Sequence, residues 1–164
     1  MRPMILALAL LLPTSMVACT SSTPKPRDPS TINEATPGDA PDFMNFAVQP
    51  LPDQNRDAWP DVVPVIVYLF NTQSAQPKGF AGGFEFRILD LDQKLIQRWV
   101  IGPADTPRAL GVRAGLTGYS FRLDFPLSQT QEKFPDRVFA EARFSPLGGA
   151  PIISRTVIIP FRLH

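Results

Sequence analysis

The chain has 164 residues and is close to charge-balanced, with 16 Lys plus Arg against 15 Asp plus Glu and 44% hydrophobic residues. Its basic residues are scattered singly, so the electrostatic footprint of a nucleic-acid binder is missing, and no acidic block marks a charged tail. One cysteine rules out an internal disulfide, and the single histidine is the last residue, which leaves little for imidazole catalysis or a zinc site.

In chain order, Met1-Arg2-Pro3 precedes an apolar run from Met4 to Leu12, which Pro13 ends; Met16-Val17-Ala18-Cys19 follows. A basic start, a short apolar stretch and small residues before a break are the parts of a secretory signal peptide. The run is too short to cross a bilayer, which takes about 20 apolar residues. The segment Met16-Val17-Ala18-Cys19 resembles the lipobox of bacterial lipoproteins, with Met16 in place of the usual leucine. That resemblance implies cleavage between Ala18 and Cys19, a thioether-linked diacylglycerol on Cys19 and palmitate-type acylation of the new amino terminus. Two or three acyl chains make a stable anchor, each buried methylene contributing about 0.8 kcal/mol. The expected location is the bacterial cell envelope, with the membrane reached through the Cys19 lipid. Thr20, where many lipoproteins held in the inner membrane carry Asp, favours the outer membrane by analogy.

Residues 1–18 are therefore expected to be the signal peptide, and residues 19–42 a tether. The stretch 20–42 contains five prolines, and Ile32 is its one aliphatic side chain larger than valine. Such a composition buries too little apolar surface to offset chain entropy and predicts a disordered spacer. All twelve phenylalanines fall at or after Phe43, so one domain is expected over 43–164.

Within that domain the hydrophobic period is two. Residues 43–50 open it as a first strand. Val62 to Phe70 is a near-continuous β-branched run, which reads as a strand buried on both faces or covered at an edge. Pro64 places the start of that run at an edge or outside the ladder. Phe84-Glu85-Phe86-Arg87-Ile88 alternates, and Asp90-Leu91-Asp92-Gln93 turns the chain into a strand over 94–101. Residues 103–118 carry no strand pattern and read as a long loop with Arg108 and Arg113, the first-ranked contact surface. Tyr119 to Phe125 alternates without a fault, which points Tyr119, Phe121, Leu123 and Phe125 inward and Arg122 outward. Ser128 to Lys133 has capping-box spacing and reads as a turn or two of helix before Pro135. Arg137 to Phe144 alternates again with Val138, Ala140, Ala142 and Phe144 inward, although Phe139 breaks its polar face; Ser145 to Pro151 is a turn, and residues 152–161 are the last strand. Seven strands without a long helix predict an all-β fold, an antiparallel β-sandwich similar in strand count to immunoglobulin or fibronectin domains.

Candidate chemistry is sparse. Cys19 is consumed by the anchor and His164 is terminal, so neither thiol nor Ser–His–acid catalysis is expected. Asp53, Asp57 and Asp61, and Asp90 with Asp92, offer oxygens to calcium but lack the spacing of a calcium loop. Glu85, Asp124 and Glu141 fall on outward strand positions. The glycines of Gly79-Phe80-Ala81-Gly82-Gly83 precede a strand, where a phosphate cradle would need a helix start. Phe80, Trp59 and Trp99 could present an aromatic platform or pack internally. No catalytic residue, metal ligand or cofactor is expected. The reading is a non-enzymatic envelope lipoprotein that binds a protein or glycan partner or serves structurally. Its rivals are an assembly or chaperone-like accessory subunit using exposed strand edges, and a glycan hydrolase relying on carboxylates alone.

Overall fold

Alternation along the strands sorts side chains into an inner layer and an outer one. In the computed structural model the described residues are 31–54, 59–125 and 135–161. They form β1 (Phe43–Val48), β2 (Val62–Phe70), β3 (Gly82–Leu89), β4 (Leu95–Ile101), α1 (Thr106–Ala109), β5 (Leu110–Arg113), β6 (Leu116–Asp124), β7 (Arg137–Pro146), β8 (Ile152–Ile153) and β9 (Val157–Pro160). One antiparallel sheet runs β1-β2-β6-β5; the other runs β4-β3-β7, with β7 also pairing β8 and β9. The protein is thus all-β, built of two antiparallel sheets and not a closed barrel.

The core lies between the sheets. Val63, Val65, Val67 and Leu69 of β2, with Tyr119 and Leu123 of β6, face Phe84, Phe86 and Ile88 of β3 and Val138, Ala140, Ala142 and Phe144 of β7. Phe84 is the hub, with ring centroids 4.7 Å from Phe144, 5.0 Å from Tyr119 and 5.1 Å from Phe121. Contacts of this kind contribute about 0.5–1.5 kcal/mol per pair beyond the area they bury. Tyr119, Leu123 and Phe125 are buried, Phe121 is half-buried against the same cluster, and Arg122 is exposed.

Three expectations need correction. First, β2 is neither buried on both faces nor at an edge. It lies between β1 and β6, and Pro64, Ile66, Tyr68 and Phe70 are only half-buried. Pro64 is tolerated there because its missing N–H falls on the β1 side, where β1 has already ended at Val48. Its carbonyl still accepts the Gln49 N–H (2.9 Å). Second, residues 103–118 are not a loop. They hold α1, started by Pro107 in its first turn, and β5, which pairs along β6 from Leu110↔Tyr119 to Arg113↔Leu116. Third, the tail of the segment assigned to the tether is docked. Asn33 is buried, its N–H donating to Thr117 Oγ1 (2.7 Å) and its Nδ2 to the Pro77 carbonyl (3.0 Å), and Glu34 bridges to Gly79. Asp42 accepts the Thr72 N–H. The proposed helix 128–133 lies outside the described residues.

The turns follow the expected chemistry. Asp90 Oδ1 accepts the N–H groups of Asp92 (2.9 Å) and Lys94 (2.8 Å), closing the β3–β4 hairpin, and Gln93 takes a left-handed φ of 64°. Gly82 permits the sheet to close up: a Cβ there would lie 2.5 Å from the Phe144 ring and from the Ser145 carbonyl.

Candidate functional site

A sandwich of two open sheets leaves four strand edges, and unpaired edges invite association unless they are blunted by charge, proline, a bulge or shortness. Three edges here carry such devices. The strand β4 bears Arg98, and its pairing with β3 shifts register at Ile88/Leu89. Edge strand β5 has four residues and ends in Arg113. The last edge is split into β8 and β9, with Pro160 closing β9.

The β1 edge differs. Its sequence, Phe-Met-Asn-Phe-Ala-Val, has no charge and no proline, and its register with β2 is unbroken from Phe43↔Phe70 to Val48↔Val65. The bond from Gln49 N–H to Pro64 fixes the parity of the ladder: Phe43, Asn45 and Ala47 exchange bonds with β2. The N–H and C=O groups of Met44, Phe46 and Val48 therefore point away from the sheet. Along this edge, between β1 and β8–β9, runs a groove of about 860 Å3 whose walls include Met44, Phe46, Ile152, Ile153 and Val157, with Asp42 and Arg155 among its polar groups. Phe43 is 50% exposed and stacks on Phe70 at 4.7 Å, and Ile153 is 63% exposed. Backbone bonding groups and apolar surface thus coincide, which is what an added strand needs.

The outward face of the second sheet is organised by charge. Glu85 is bonded by Arg87 and, at 2.8 Å, by Arg98, and Arg87 also reaches Glu141 at 3.4 Å. The hydrogen bond from Arg98, then that from Arg87, hold the Glu85 carboxyl below its ordinary range. A general acid needs the opposite shift. Asp124 is exposed at the end of β6.

The remaining candidates from sequence are dispersed. Asp61 accepts the Gln54 N–H, while Asp90 is occupied in its hairpin; among the described residues no group of three or more potential metal ligands converges. Phe80 is buried at the end of the sandwich near Tyr119. Trp59 and Trp99 are half-buried instead beside Phe161 and Phe125, and Trp99 Nε1 donates to the Asp124 carbonyl (2.9 Å). Phe80 stands apart from the tryptophans, which belong to one cluster bridged by the Phe125–Phe161 contact at 5.1 Å. Arg108 pairs with Asp105 at 3.0 Å, and Arg113 Nε donates to Ser120 Oγ at 3.2 Å. Ala18, Cys19, Asp57 and His164 lie outside the described residues. No helix among the described residues is long and apolar enough to cross a membrane.

The β1 edge was not visible as a site in the sequence, because edge status depends on which strands become neighbours. Comparison with protein-family models, with curated proteins and with solved structures gave no match.

Proposed function

We propose that this is a lipid-anchored protein of the bacterial envelope whose folded domain is a non-enzymatic binding module. It is held to the membrane, favouring the outer one, by the lipid on Cys19. The lipobox-like run Met16 to Cys19 supports the anchor, and the proline-rich segment after it supports a spacer. The domain is read as immunoglobulin- or fibronectin-like. Its strand order supports this: β1-β2-β6-β5 against β4-β3-β7-β8/β9 corresponds to strands A-B-E-D against C′-C-F-G of that sandwich.

The observation that carries the function is the uncharged, unbroken β1 edge beside a groove that mixes apolar walls with a few polar groups. The partner is an extended segment of an envelope protein that adds to β1 as a further strand, as expected of an assembly or accessory subunit. Backbone bonds to Met44, Phe46 and Val48 give affinity, and alternate side chains of the incoming strand enter the groove against Ile152 and Val157. Two experiments test the parts separately. Clickable palmitate should label the wild type and not Cys19→Ala; label retained by the variant contradicts the anchor. A photoreactive residue at exposed Asn45 should yield a specific cross-linked envelope protein in cells, and Val48→Pro, which removes one outward N–H, should abolish it. An adduct unchanged by Val48→Pro contradicts strand addition.

A further inference from the structure

A second concavity, sharing no lining residue with the β1 groove, lies where the docked segment 33–35 meets the bend before β3. It measures about 260 Å3 and is walled by Ala35, Phe80, Pro103, Pro107 and Leu110, with Tyr119 among its lining residues. Its aromatic part is tied together by two hydrogen bonds. The Tyr119 hydroxyl donates to the Phe80 carbonyl (2.7 Å) and accepts the Phe80 N–H (2.6 Å), so one side chain ties β6 to the chain entering β3. Thr106, also on the lining, donates its hydroxyl to the Gly102 carbonyl at 3.1 Å.

The polar wall groups are therefore engaged, with one exception. Glu34 lines the cleft from an exposed position at its rim, and no ion pair among the described residues uses its carboxylate. No Lys, Arg or His shares the lining, and Lys78 nearby is committed to Asp39 at 2.8 Å. Burial, and after it the Glu34 charge, push the Tyr119 phenol up to about 12, so the carboxylate lies within electrostatic reach of the buried ring. Apolar walls with one exposed carboxylate at the rim, paired with no cation, suit an apolar stem ending in a positive charge. Sites that enclose drug-sized ligands run to roughly 300–1,000 Å3. The smaller volume here suits a single side chain.

We infer that this cleft binds the lysine side chain of a polypeptide partner, its methylenes against Phe80, Tyr119 and Leu110 and its ammonium at Glu34. The inference stands whether or not β1 receives a strand, since the two surfaces are tested by different residues.

The test is an amide-resolved NMR titration of the full chain in detergent micelles with Nα-acetyl-lysine methylamide. Its Nε-acetylated counterpart, which keeps the stem and loses the charge, is the control. The lysine compound should shift the amides of Ala35, Phe80 and Ala81 and bind about two- to five-fold more tightly than the control, the range of a partly exposed ion pair. Glu34→Gln should level the two affinities while leaving the rest of the spectrum in place. Raising salt to about 0.5 M should erode the preference in the wild type without any substitution. Absence of saturable shifts, shifts centred elsewhere, equal affinity for the two compounds, or a preference that survives Glu34→Gln would each overturn the assignment.

Discussion

Replacing Tyr119 by Phe removes one oxygen and leaves the ring, so it isolates the tie between β6 and Phe80. Tyr119 is 1% exposed, and its hydroxyl satisfies both the N–H and the C=O of Phe80. Each neutral bond contributes about 0.5–1.5 kcal/mol net, and a buried partner left unpaired costs about 1–3 kcal/mol. Phe80 would lose a donor's and an acceptor's partner together, so Tyr119→Phe should destabilise by about 2–4 kcal/mol. That is a large share of the roughly 5–15 kcal/mol of a typical domain. Urea melts should show a lower midpoint with an unchanged slope, because the surface exposed on unfolding is the same. A pH series adds a sign. The folded-state pKa is raised from 10.0 to about 12, so the stabilisation is fully present below pH 10 and lost as pH climbs through 12. At about 1.36 kcal/mol per unit, wild type should lose roughly 2–3 kcal/mol more than Tyr119→Phe across that window. A cost under about 0.5 kcal/mol at neutral pH, or parallel alkaline limbs for the two proteins, would refute the reasoning.

Phe121→Ala should cost about 3 kcal/mol, the low end for core aromatics because the ring is half-buried, while Arg122→Ala should stay within about 0.5 kcal/mol; equal losses in urea melts would mean the wrong face was assigned. Gly82→Ala should destabilise by about 1–3 kcal/mol, since its Cβ would meet the Phe144 ring and the Ser145 carbonyl at 2.5 Å. Gly102→Ala, with nothing within 4 Å of its Cβ, is the control and should change the thermal midpoint little. Glu85 has a lowered carboxyl pKa, so its contribution is present above its ordinary value of 4.5 and lost as pH falls below it; Glu85→Gln should flatten the acid limb of a thermal-melt series.

Amphipathic strands were legible because one buried face imposes a strict alternation; β3, β6 and β7 show it without reference to any neighbour. Short edge strands were not. The four residues of β5 include a glycine and are half-buried or exposed throughout, so no period-two signal exists to find. The prolines around α1 looked like loop punctuation, although Pro107 occupies a first-turn position where its missing N–H costs nothing. Segment 31–42 misled for a different reason. It docks through Asn33, Glu34 and Asp42 by hydrogen bonding and a single bridge, and hydropathy is blind to such contacts. The same limit hid both candidate surfaces. That β1 is an edge follows from pairings many residues apart, and that Glu34 faces an apolar cleft follows from its meeting Phe80 and Leu110 in space. Nothing in the local sequence of either records the encounter.

Residue-resolved hydrogen exchange tests the central claim most directly, comparing the purified chain with the chain in gently solubilised envelope membranes. In the purified chain the Asn45 and Ala47 amides should be protected by β2, and those of Met44, Phe46 and Val48 should exchange quickly. In membranes the same three amides should slow by at least ten-fold, while the β5 amides of Gly111 and Val112 do not change. Fast exchange at Met44, Phe46 and Val48 in both preparations would contradict the claim that β1 is where this protein takes its partner.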